Sequence, residues 1–230
     1  MNRSRTPLVL AIVLVVAGVV ALVAVLVTRG DDDDGDSASS VPTPAPGATP
    51  PDSAGGTPAG GTIDPLAATV TVDGEPLPPL KDPNDDPAVG TAAPALHGTN
   101  YAGQPTDIVP GTGGPMLVVF LAHWCPHCND EIPVLLEWRD SGEIPSDLQI
   151  FGVSTAVSPE RPNYPPGQWL QDKGWDWPVL ADTVDFTAGT AYGVTGFPGF
   201  TLLDADGSVA ARGSGEISID DLQDLVDGVA

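Results

Sequence analysis

Basic residues are scarce: 8 Lys+Arg stand against 31 Asp+Glu, a formal net charge of -23. Such a balance repels phosphate backbones and argues against nucleic-acid binding. Solubility, or tolerance of a salty environment, explains the acidity more simply than an acidic recognition surface. Cysteine is scarcer still, with two in 230 residues, and there are three histidines. Two cysteines cannot staple a large fold, and a structural zinc site normally needs four Cys or His ligands at defined spacing. No cofactor and no resident metal is expected. The placement of the cysteine pair therefore carries most of the information.

Leu8 to Val27 is an unbroken run of apolar residues and Gly, about the length that crosses a bilayer as one helix. Arg3 and Arg5 precede it; Arg29 follows, with Asp31 to Asp34 and Asp36 directly behind. Residues 1–29 are thus expected to form a single-pass signal anchor, with the N-terminus cytoplasmic and the remaining chain on the extracytoplasmic side of the cell membrane. A cleaved signal peptide is the competing reading, but its apolar region is usually shorter, and no convincing small-x-small site follows. Residues 30–66 are rich in Asp, Ser, Pro, Gly, Ala and Thr and cannot bury a core, so they read as a disordered linker that gives reach. Over 67–86, Ala68 to Val72 and the Asp73-Gly74 turn signal point to an extra strand, broken soon by Pro76, Pro78 and Pro79 in a loop.

The folded domain is expected over 87–230. Met116 to Leu121 has the continuous apolar pattern of a central strand buried on both faces. Asn129 to Arg139 spaces Ile132, Leu135, Leu136 and Trp138 as a helix does, with a kink expected at Pro133. Leu148 to Val153 reads as a strand, Pro165 to Gly174 as a short helix, Pro178 to Leu180 as a strand and Asp185 to Tyr192 as a helix. Phe200 to Leu203 and Ser208 to Arg212 flank an Asp-Gly turn and predict an antiparallel hairpin. Ser218 is placed as N-cap of an amphipathic closing helix carrying Ile219, Leu222, Leu225, Val226 and Val229 on one side. This order predicts an α/β fold whose mixed central sheet is flanked by helices.

Trp124-Cys125-Pro126-His127-Cys128 stands between the apolar strand and the first helix. A sulfur at a helix N-terminus meets unpaired backbone N–H groups and the positive end of the dipole, which favour thiolate over thiol. Cys125 is first and more exposed, hence the candidate nucleophile; Cys128, one turn further in, is the candidate resolving thiol. Two intervening residues bring the sulfurs within bonding range as a reducible, redox-active disulfide. His127, when protonated, adds a positive charge beside Cys125, Pro126 belongs to the tuning dipeptide, and Trp124 forms a shielding platform. His123 is read as solvated surface and His97 has no evident partner, while Trp169, Trp175 and Trp177 are assigned to packing. Glu137 and Arg139 read as solvated helix charges.

The segment Phe120 to Cys128 followed by Glu131-Ile132-Pro133 resembles the active-site region of thioredoxins, especially the TlpA/ResA-like membrane-anchored disulfide reductases. Tyr192 to Pro198 followed by Phe200 to Asp204 is a second matching element, about seventy residues on, and Val89 to Pro94 is similar to the opening of redoxin-type domains. The resemblance implies a thioredoxin-like fold, a cis Pro198 facing the dithiol, and Phe197 offering backbone hydrogen bonds to an extended substrate. It also implies a proton-relaying role for Glu131, three residues after the second Cys, whereas Val119 stands where thioredoxins carry an acidic residue. The bland alternative for Glu131 is a solvent-facing helix residue. Implied substrates are protein thiols and disulfides such as apocytochrome c, supplied with electrons by a membrane redox partner.

The Cys-Pro-His-Cys dipeptide, however, is that of DsbA-type oxidases, so the direction of electron flow stays open between reductase and dithiol oxidase. A copper-binding protein using His123, Cys125, His127 and Cys128 is a weaker alternative. A thiol peroxidase would need a peroxidatic Cys outside the pair, and there is none.

Overall fold

The structure is a computed structural model and describes residues 62–229. The signal anchor expected over 1–29, and the linker up to residue 61, lie outside the described residues. Among the described residues no helix is long and apolar enough to cross a membrane.

Two sheets organise the domain. A small antiparallel sheet joins β1 (Thr71–Asp73), β2 (Ala95–Thr99) and β3 (Pro105–Ile108) in that order. The main sheet contains β4 (Met116–Leu121), β5 (Gln149–Ser154), β6 (Val179–Ala181), β7 (Gly199–Leu203) and β8 (Val209–Ser214), in the order β6-β5-β4-β7-β8. The β4–β5 and β5–β6 pairs are parallel; β4–β7 and β7–β8 are antiparallel. This is the mixed sheet expected from the element order. The helices are α1 (Pro126–Ser141), α2 (Pro166–Asp172), α3 (Thr187–Ala191) and α4 (Ile219–Asp227).

Strand β4 shows why its apolar run is unbroken. Successive side chains of a strand point to opposite faces. Leu117, Val119 and Leu121 enter one core with Ile132, Leu135 and Trp138 of α1 and Leu222 and Val226 of α4. Met116, Val118 and Phe120 enter the other, with Leu96, Ile108, Ala188 and Tyr192. Both faces are dry. The Trp138 indole N–H donates to Gln223 Oε1 at 2.7 Å, tying α1 to α4, and the Ser218 hydroxyl accepts from Asp221 N as the N-cap of α4.

Helix α1 runs through Pro133 without interruption. Proline has no N–H to give to the carbonyl four residues back. That carbonyl, Asn129 O, accepts from Lys173 Nζ at 3.0 Å instead. The helix stops at Gly142, whose φ of 77° is the left-handed cap that glycine takes without strain.

The strand expected within 67–86 is present as β1, but its partner is β2 rather than a strand across the Asp73-Gly74 turn. The loop after β1 is pinned to the main domain. Leu77 N donates to Ala191 O, Leu80 N donates to Gly193 O, and the Thr195 hydroxyl donates to Leu80 O. Arg212 grips Asp86 through two nitrogens, Nε to Oδ2 at 2.8 Å and Nη2 to Oδ1 at 2.5 Å, and its Nη1 donates to the Pro78 and Tyr192 carbonyls. The pairing holds the Asp86 carboxyl below the usual carboxylate range. The residues leading to Pro198 are thus backed by this pinned segment.

Candidate active site

Cys125 is the N-cap of α1, with extended backbone (φ -76°, ψ 123°), and Pro126 occupies the first turn. Proline there forfeits only an N–H that a helix start cannot pair internally. The Cys125 side chain makes no capping hydrogen bond to the first-turn N–H groups and turns instead toward the Phe197 carbonyl. Cys125 is 6% exposed, and its Sγ donates to the Phe197 carbonyl at 3.6 Å. The Phe197–Pro198 peptide is cis. The sulfur and the proline segment therefore face each other, across the join between β4–α1 and the approach to β7.

Cys128 lies one turn in and is fully buried. Its Sγ accepts from Ala122 N at 3.4 Å, and both cysteines are free thiols. Burial pushes the Cys128 thiol well above its ordinary range, with the neighbouring Cys125 and Glu131 adding to the rise and the Ala122 N–H opposing it. A thiol so placed holds its proton until a base takes it.

Glu131 is 0% exposed, on the face of α1 turned toward the start of α4, so the solvent-facing alternative does not hold. Its Oε2 accepts from Ile217 N at 3.1 Å, while Oε1 has no partner, alone among the buried side-chain oxygens and nitrogens of the described residues. Burial raises its pKa to about 7, with Glu216 adding to the rise and the Ile217 N–H opposing it. An acid raised in the fold contributes stability fully below its unfolded pKa, near 4.5, and loses it as the pH rises through 7. Relative to wild type, Glu131→Gln should therefore become more stable by roughly 2 kcal/mol between pH 5 and pH 8, read from urea unfolding at both pH values. A pH-independent difference would contradict the buried acid.

The histidines differ from their sequence reading. His123 is fully buried, not solvated: its Nδ1 lies 2.7 Å from Pro162 O and Ser158 N donates to its Nε2 at 3.2 Å. His97 does have a partner, Asp107, at 3.1 Å across the β2–β3 pair. His127 is exposed and its Nδ1 sits 2.5 Å from Glu216 Oε1. Because His123 and His127 are engaged in different directions, the four-residue copper set does not assemble, and no cluster of metal-binding side chains occurs among the described residues. The tryptophans assigned to packing sit in or against the core. Arg139 is not simply solvated: it pairs with Asp140 and Asp176.

Trp124 packs between the motif and the facing loops. Its indole N–H donates to Ala156 O at 2.8 Å, its ring meets Phe197 edge-on at 6.0 Å, and the Arg161 guanidinium lies over it at 4.3 Å. Beside it, Ala156, Val157, Val184, Phe186, Val194, Thr195 and Phe197 line a mostly apolar groove of about 420 Å³. The loop residues of this groove, together with Arg161 and Asn163, escaped the sequence reading. They carry no periodicity, and the Arg161 to Pro166 run shows only turn-forming composition.

Comparison with known proteins bears on this geometry. A family model described as the AhpC/TSA family matches residues 89–212, more than half of the chain. The thioredoxin domain of a thiol-disulfide oxidoreductase from Bacteroides vulgatus superposes with a TM-score of 0.50 at 27% identity, covering 62% of this chain and 99% of that one. A thiol:disulfide interchange protein of the thioredoxin family from Chlorobium tepidum gives a TM-score of 0.50 at 25% identity, covering 61% of this chain and 96% of that one. No curated protein matches the chain significantly.

Proposed function

The chain belongs to the AhpC/TSA family within the thioredoxin superfamily, as a thioredoxin-type thiol–disulfide oxidoreductase, and on that premise we propose that Cys125 and Cys128 are its redox pair, acting outside the cytoplasm. The observation that carries the reading is the stacking of three groups along the start of α1. Cys125 Sγ faces the Phe197 carbonyl, Cys128 is buried one turn behind, and the partnerless Glu131 oxygen lies beyond it.

In the reducing direction the Cys125 thiolate attacks one sulfur of a substrate disulfide. A mixed disulfide forms and the substrate's other sulfur leaves as a thiolate. Cys128 then gives its proton to Glu131 and attacks the Cys125 sulfur, which releases the second substrate thiolate. The enzyme is left as the Cys125–Cys128 disulfide, and a membrane redox partner returns two electrons. The cis Pro198 segment and the Phe197 backbone hold the substrate extended across Cys125.

The substrates proposed are disulfides of secreted proteins, apocytochrome c among them, with the chain tethered to the cell membrane through residues 1–29. The acidic residue at Glu131 supports the TlpA/ResA-like reductase; the Pro126-His127 dipeptide supports a DsbA-like oxidase. The reduction potential decides: a value near the roughly -270 mV of thioredoxin sustains the reductase, and one near the roughly -120 mV of DsbA replaces it with the oxidase. Trapping with Cys128→Ser identifies the substrates, which should be exported proteins carrying cysteine pairs.

A further inference from the structure

His123 lies two residues before Cys125 and takes no part in the exchange chemistry above, yet it is fully buried and bonded at both ring nitrogens. The partners dictate its state. Ser158 contributes a backbone N–H, so Nε2 must accept; Pro162 contributes a carbonyl, so Nδ1 must carry the proton. The ring is the neutral Nδ1–H tautomer, spanning the two ends of the 158–162 turn.

Other contacts close the same segment onto the motif. The His123 carbonyl accepts from Asn163 Nδ2 at 2.8 Å, and Ala156 O takes the Trp124 indole N–H. Arg161 covers the Trp124 ring, and the Tyr164 ring meets His123 edge-on at 6.0 Å. Ala156 and Val157, at the start of the segment, line the same groove as Phe197. On the redox reading above, the loop is part of the surface an extended substrate crosses, and its central tie is one imidazole.

We propose that His123 is a positioning residue whose neutral ring latches the 156–164 segment against Trp124, so that protonating the ring releases one wall of the substrate groove without touching the dithiol. The inference rests on the redox reading given above. A second ring proton would set N–H against the Ser158 N–H and place a charge in a buried site. Arg161 and Tyr164 of the loop face the ring, and Arg161 opposes the charge. Cys125, two residues along the chain, would favour that charge as a thiolate but does not in the disulfide form. Both ring hydrogen bonds go to backbone, and no carboxylate shares them. Burial and Arg161 accordingly hold the ring's pKa below the usual histidine range. The neutral latch is favoured above that range and lost as the pH falls through the depressed value.

The test compares two reductants of the oxidised full-length protein: dithiothreitol, which needs only the disulfide, and an extended synthetic dithiol peptide with apolar residues beside its cysteines. The ratio of the two rate constants cancels the enzyme disulfide's own pH dependence, once each reductant is corrected for its measured thiolate fraction. For wild type the peptide-to-dithiothreitol ratio should fall severalfold as the pH is lowered from 7.5 to below the ring's depressed pKa. His123→Phe should show the low ratio at both pH values, and His123→Asn, which keeps a donor for Pro162 but does not titrate, a ratio that is flat with pH. A wild-type ratio that stays constant overturns the latch, whether or not either variant folds. Failure of wild type to react even with dithiothreitol would instead overturn the dithiol reading on which the latch rests.

Discussion

Cys125→Ser should lower thiol–disulfide exchange by at least about 10³-fold, because it removes the only sulfur that faces the Phe197 carbonyl, where a substrate disulfide can approach. Cys128 cannot take over. It is 0% exposed, its thiol is raised far above the ordinary range by burial, and its sulfur points back to Ala122 N. Cys128→Ser should behave differently. Attack by Cys125 survives, the resolving sulfur is gone, and mixed disulfides with substrate accumulate and become visible on non-reducing gels. Equal activity loss without trapped adducts in Cys128→Ser would remove the two-step exchange. An adduct-forming Cys125→Ser would reverse the two roles.

The largest stability effect is expected far from the sulfurs, at Asp86. The Asp86 and Arg212 side chains are 0% and 2% exposed, and the guanidinium also satisfies the Pro78 and Tyr192 carbonyls. Asp86→Asn leaves a buried guanidinium without its counter-charge, a change that costs on the order of 3 kcal/mol. The paired carboxylate keeps its contribution at neutral pH, where Asp86 stays ionised in folded and unfolded chains alike, and loses it progressively as the pH falls from the unfolded value near 3.8 through the depressed folded one. Urea unfolding at pH 7 should show the full loss. Because Leu77 and Leu80 bond the backbone of Ala191 and Gly193, loosening this clamp also unseats the approach to Pro198. Exchange with protein substrates should therefore fall further than the stability loss alone explains at temperatures where the variant remains folded. A variant as stable as wild type would show that the pair contributes no net energy.

The parts of the fold that could be read in the sequence are those where periodicity and termini agree. Met116 to Leu121 is a strand with both faces buried, and its alternation between two cores requires a continuous apolar run. The Asp206-Gly207 turn, with Gly207 at φ 87°, joins β7 to β8, and Ser218 caps α4, because these local signals do not depend on distant partners. Strands β2 and β3 gave no comparable signal. Ala95-Leu96-His97-Gly98-Thr99 contains one buried apolar residue, and its strand character comes from pairing with β1 and β3. Of the candidate site, the meeting of Cys125 with the cis Pro198 segment was legible through short motifs. The site was illegible at His123, whose burial depends on a turn 35 residues away folding back over it. Arg212 was read only as the end of a hairpin, since its partner Asp86 lies 126 residues earlier.

The most direct measurement is limited alkylation of the fully reduced protein at neutral pH with a substoichiometric iodoacetamide dose, followed by peptide mass spectrometry to locate the adduct. The geometry predicts modification at Cys125, the sulfur at the open end of α1, with Cys128 left as a free thiol. Modification at Cys128 first, or equally at both, would contradict the assignment of an attacking sulfur in front and a proton-holding sulfur behind.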